Sequence, residues 1–155
     1  MKSTPSSHSL DRFLAAQEPV YGAVLAELRA GSKRSHWMWF IFPQIEGLGA
    51  SPMARHYALK GADEARAFLD HPTLSAHLRE CVQLALDANV RSITELFPYP
   101  DDLKFRSCLT LFAQVAPREP LFIAALDRYF GGERDPLTLA RLSEAAAAMP
   151  SRPVS

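Results

Sequence analysis

Proline or glycine stands at the edge of nearly every apolar, helix-periodic stretch of this chain, and that punctuation leaves little choice of fold. Leu10, Phe13 and Leu14, then Val20, Tyr21, Val24, Leu25 and Leu28, recur at the 3.6-residue spacing of an amphipathic helix. Pro19 lacks an amide donor, so the pattern predicts a helix over 9–17 and a second with Pro19 in its first turn, ending at Ala30 before Gly31. Ser51-Pro52 starts another, which Gly61 ends. A short helix over 63–69 follows, and His71-Pro72 opens a longer one to Ala88 whose Leu74, Leu78, Cys81, Val82 and Ala85 form one stripe. Ser92 and Glu95 have capping-box spacing ahead of a short helix to Phe97. Beyond the Pro98-Tyr99-Pro100 turn, Asp101 can cap a helix to Val115, Pro120 begins the next and Gly131-Gly132 closes it. Asp135-Pro136 starts a last one to about Ala148.

Alternating strand pairs, an Asn-Gly hairpin turn and a fixed repeat are all lacking, so the expected fold is all-α, an irregular single-domain helical bundle of about seven to nine helices. Residues 9–149 are expected to form the domain, with 1–8 and 150–155 as flexible ends. A length of 155 residues with 48% apolar and 22% charged side chains suits one buried core. The run His36 to Phe42 is continuously apolar from Trp37 and could be strand or buried helix. As a helix it would set Trp37, Phe40, Ile41 and Gln44 on one face.

Seventeen basic against seventeen acidic residues remove the net charge on which general nucleic-acid binding depends. A polybasic membrane role is excluded on the same ground. The N-terminus carries no apolar stretch of signal length and no later run approaches about 18 apolar residues, so a soluble, cytoplasmic protein is expected. Cys81 and Cys108 lie in helical patterns without CxxC spacing and read as buried free thiols.

The string Lys33-Arg34-Ser35-His36-Trp37-Met38-Trp39-Phe40-Ile41-Phe42-Pro43-Gln44, with Gly47-Leu48-Gly49-Ala50-Ser51 after it, resembles the signature of a bacterial and fungal family catalogued as domain of unknown function eighteen-ten. The likeness continues through Tyr57, Asp63-Glu64-Ala65-Arg66, His71-Pro72, Asp102-Leu103-Lys104, Ser107 and Thr110-Leu111-Phe112, over about residues 10–140. It implies a mainly helical single domain and assigns no catalytic residue. The label calpastatin, attached automatically to some members, does not fit: calpastatin is a disordered inhibitor, whereas this composition packs.

Three stretches carry groups suited to an anion. Lys33, Arg34 and His36 precede Trp37 and Trp39, where a cation could hold a phosphate while an indole stacks on a base. Gly47 to Ser51 leads into a helix start, with Arg55 and His56 one turn in. Asp102, Lys104 and Arg106 crowd the front of one helix, where Asp102 and Arg106 are spaced to pair, and Ser107, Thr110 and Gln114 add an uncharged polar stripe. Each has a plainer reading as core, cap or solvated face. Convergence of Lys33, Trp37, Trp39, Gln44, Ser51, Arg55, Lys104, Ser107 and Thr110 would make a pocket for a small anionic or nucleotide-like metabolite, with His36 or Asp102 as the acid or base. The alternative is a protein-interaction module without catalysis. The five histidines lack chelating spacing, so no metal is expected, and no cofactor is predicted.

Overall fold

Prolines at Pro52, Pro72, Pro120 and Pro136 each occupy the first position of a helix, where the missing amide costs nothing. Gly31 and Gly131 end two others in the left-handed region, at φ 74° and 60°. The structure, a computed structural model, describes residues 10–148; the expected flexible ends lie outside the described residues. It contains α1 (Asp11–Gln17), α2 (Tyr21–Ala30), α3 (Met38–Ile41), α4 (Pro52–His56), α5 (Ala62–Asp70), α6 (Pro72–Leu86), α7 (Ile93–Leu96), α8 (Asp101–Val115), α9 (Pro120–Phe130) and α10 (Pro136–Ala148). The protein is all-α: the described residues hold these ten helices and no strand, only an isolated parallel bridge between Ile45 and Leu59.

Several boundaries differ from the expected ones for local reasons. α2 starts at Tyr21 because Pro19 lies in the turn and Val20 is the N-cap. α4 stops at His56, far short of Gly61, because Leu59 turns away to pair with the Gln44–Glu46 backbone: Leu59 N–H donates to Gln44 O at 2.9 Å and Glu46 N–H donates to Leu59 O at 2.8 Å. The capping box is not formed at Ser92. Glu95 accepts from the Arg91 amide, and the Ser92 hydroxyl contacts Thr94 instead. Asp101 is the first residue of α8 rather than its cap.

α8 is the axis of the fold. From Ser107 to Ala113 every residue is buried, as required of a helix packed on all sides, and α3, α5, α7, α9 and α10 surround it. Trp37, Phe40, Phe112 and Phe122 share one core. Two aromatic chains run through it: Phe13, Phe68, Phe112 and Phe122, and Trp37, Phe97, Phe105 and Phe42, with ring centroids 4.9–6.2 Å apart. The apolar run is resolved as the single turn α3, which buries Met38, Phe40 and Ile41. Gln44 falls beyond Pro43, outside the helix.

Candidate functional site

The first turns of α8 and α10 flank a cleft of about 580 Å³ whose other side is the 44–49 turn, α4 and the Tyr57–Ala58 segment. That volume is in the range of small-molecule sites. Trp39, Gln44, Arg55, Lys104 and Ser107, drawn from four separate segments, all line it, together with Glu46, Gly47, Leu48 and Gly49.

The turn is fixed from both sides. The bridge to Leu59 holds Gln44 and Glu46 by their backbones, and Arg141 of α10 donates from Nε to Glu46 O at 3.2 Å. Gly47 has φ 97°, a conformation that favours glycine, and a Cβ there would push the Arg141 guanidinium off the turn.

Lys104 is held by two groups. Its Nζ lies 4.9 Å from the centre of the Trp39 ring and 3.6 Å from Asp101 Oδ1. The opposite oxygen of Asp101 binds Lys33 Nζ at 2.7 Å, and Lys33 in turn sits 5.2 Å from the Trp37 ring. Two lysines, each over a tryptophan, therefore share one carboxylate, which leaves one net positive charge on the cleft side. Arg55 is exposed and pairs with no acid among the described residues.

Asp135 forms the foot of the cleft. Its Oδ2 accepts from Ser107 Oγ at 2.7 Å and from Thr138 Oγ1 at 2.6 Å, and its own amide donates to Thr110 Oγ1 at 2.9 Å. The Thr110 hydroxyl donates to Arg106 O, so Thr110 is a buried structural link and does not line the cleft. Arg106 does not pair with Asp102. It donates to Glu133 O and Arg134 O, tying the loop before α10 to α8.

The remaining sequence candidates serve elsewhere. Trp37 is core, with its indole N–H donated to Glu27 Oε1 at 2.9 Å. Lys33 is the buried partner of Asp101. Ser51 caps α4 by accepting from the Ala54 amide, and a helix of five residues offers no anion site at its start. His36 is exposed away from the cleft. Asp102 does not line it either, and its Oδ1 is buried without a hydrogen-bond partner among the described residues. Conversely, Glu46, Tyr57, Leu103, Asp135, Leu137 and the positioning residue Arg141 are site members that periodicity and motif spacing do not reveal.

Outside the cleft the chemistry is quiet. Burial pushes the Cys81 thiol up to about 12 and Cys108 well above its ordinary value, so neither is a thiolate nucleophile near neutral pH. His71 caps α6, its Nδ1 accepting from the Thr73 and Leu74 amides. A smaller cavity touches Gln17, Tyr21 and His77. There the His77 ring stacks on Tyr21 at 3.7 Å and Nδ1 meets Gln17 Oε1 at 2.7 Å. Among the described residues no group of three or more His, Cys, Asp and Glu is arranged to hold a metal, and no helix is long and apolar enough to cross a membrane.

Residues 7–142 match the family described as "Protein of unknown function (DUF1810)". No curated protein matches the chain. Among solved structures, the chain is similar to the conserved hypothetical protein Rv1873 from Mycobacterium tuberculosis, determined at 1.38 Å. The two are 48% identical, with a TM-score of 0.86, and the match covers 88% of this chain and 97% of that one.

Proposed function

We infer the function of this chain, which belongs to the DUF1810 family of proteins of unknown function, from its cleft: it binds a small anionic, nucleotide-like metabolite there. One observation carries this reading. Arg55, without an acidic partner among the described residues, and Lys104, fixed over Trp39, line the same concave surface beside Gln44. A concave site with convergent cations and an aromatic wall is suited to an anion attached to a flat or polar body.

The test is thermal stabilisation of the purified chain by a panel of nucleotides and sugar phosphates. A ligand present at about 100 times its Kd adds about 2.7 kcal/mol of stability. Arg55→Ala and Lys104→Ala should remove that gain. Equal stabilisation of both variants and the parent would assign binding to another surface.

A further inference from the structure

The cleft has two chemically different sides. The stretch from Trp39 to Tyr57 contributes Gln44, Arg55 and the tyrosine itself, all able to donate hydrogen bonds, along with the Glu46 carboxylate, and Lys104 leans over Trp39 toward the same side. The α8 and α10 side contributes Pro100, Leu103, Pro136 and Leu137 with the Asp135 carboxylate; Arg106 and Ser107 line it too, but Arg106 is committed to the Glu133 and Arg134 carbonyls and Ser107 to Asp135.

The apolar side is unusual for a protein surface. Among the described residues the exposed large apolar side chains are Met53, Tyr99, Leu103 and Leu137, the last 64% exposed. Leu103 and Leu137 line the cleft, while Met53 and Tyr99 directly adjoin the lining residues Ala54 and Pro100. Two exposed leucines lining one concavity mark a place where an apolar face can be covered.

Asp135 adds direction. Both hydroxyl donors, Ser107 and Thr138, are spent on Oδ2, and Oδ1 receives only a long 3.3 Å contact from the Leu137 amide. Oδ1 therefore keeps capacity to accept, and a carboxylate can only accept. A group lying between Leu103 and Leu137 and satisfying Oδ1 must present apolar faces and a hydrogen-bond donor at its edge, which the amino edge of a nucleobase does. An aliphatic chain lacks the donor, and a simple sugar lacks the apolar faces.

We propose, resting on the anion-binding reading above, that the ligand is a nucleoside phosphate with an amino-bearing base, and that Asp135 determines this specificity by accepting from the base's N–H edge between Leu103 and Leu137. The phosphate is held by Arg55 and Lys104. Because both hydroxyls address Oδ2, Asp135→Asn keeps its amide oxygen on Ser107 and Thr138 and places an NH2 where Oδ1 was. The Leu137 amide loses its long contact to Oδ1, the two hydroxyl contacts on the other oxygen remain, and the acceptor becomes a donor.

Isothermal titration of the full chain with AMP, GMP, CMP, ribose 5-phosphate and inorganic phosphate decides the matter. At least one of the three nucleotides should bind at least about tenfold more tightly than ribose 5-phosphate, and Asp135→Asn should reduce that preference below about threefold while leaving the ribose 5-phosphate Kd unchanged. Leu137→Ala, at an exposed position, should weaken the nucleotide alone and serves where the first variant does not fold. Ribose 5-phosphate binding as tightly as every nucleotide, or a preference that survives in folded Asp135→Asn or in Leu137→Ala, overturns the base-recognition proposal and leaves anion binding standing. Absence of binding by all five overturns both.

Discussion

The Lys33 ammonium lies 2.7 Å from the Asp101 carboxylate with only 7% of the lysine side chain exposed. A cation so enclosed is part of the scaffold: it anchors the 31–37 segment to the front of α8 and fixes the carboxylate that also holds Lys104. Lys33→Ala should cost about 1–3 kcal/mol, because the mostly buried Asp101 carboxylate is then left with only its longer contact to Lys104. A urea midpoint within about 0.5 kcal/mol of the parent would show that the pair is not structural.

Arg55→Ala should behave in the opposite way. The guanidinium is exposed and pairs with no acid among the described residues, so the unliganded melting temperature should stay within the range of an ordinary surface substitution, about 0.5 kcal/mol. A large loss of stability would mean that Arg55 is a packing residue and not a ligand group.

Glu27 gives an acid-sensitive joint between α2 and the Trp37 segment. Burial would raise its carboxyl, but hydrogen bonds from the Ser35 hydroxyl, the Arg34 and Ser35 amides and the Trp37 indole outweigh it and hold it lowered to about 2. In the unfolded chain it titrates near 4.5, so its contribution is complete above that pH and is lost as the pH falls toward 2. Discounted for its partial exposure to solvent, the contribution is about 1–2 kcal/mol. Glu27→Gln should lower stability by that amount at pH 7 and by much less at pH 2. An equal deficit at both values would remove the carboxylate from the account.

His77 should remain neutral below the usual histidine range. Burial lowers its pKa, opposed by the nearby Glu80 charge. Gln17 donates its Nε2–H to Phe40 O at 2.8 Å, which turns Oε1 toward His77 and requires a proton on Nδ1. An unfolded histidine binds a proton near 6.5 and this one does so only at lower pH, so stability present above 6.5 is lost as the pH falls through the folded value. Nitrogen-detected NMR should show the Nδ1–H tautomer and a midpoint below 6.5; a midpoint at or above it would contradict the geometry.

Phe112 is fully buried between Phe68 and Phe122 on the central helix α8. Phe112→Ala should cost about 3–5 kcal/mol through lost burial and the cavity left behind. An unchanged denaturation midpoint would mean that the core does not depend on this ring.

Helix ends at Gly31, Pro72, Pro120 and Gly131 are legible in the sequence because the constraint is local: a fixed or left-handed φ acts on the residue that carries it. The site is less legible because its logic is tertiary. Trp37 and Trp39 stand two apart in one apolar run, yet a single helical turn sends the first to Phe97 and Glu27 and the second to Lys104 and the cleft. Ser107 and Thr110 share a polar stripe, but their common partner is Asp135, 28 and 25 residues downstream, which locally reads only as a helix start. Lys33 and Lys104 look equivalent until Asp101 lies between them, binding one tightly in the interior and the other loosely at the surface.

The cleft borrows one wall from α10, the last helix of the described chain, whose Arg141 reaches back 95 residues to pin the turn at Glu46. The concavity is thus a long-range construction: Pro136, Leu137 and the Arg141 clamp come from the C-terminal helix and Gln44 to Gly49 from the first third of the chain, so its shape depends on contacts that no local segment supplies.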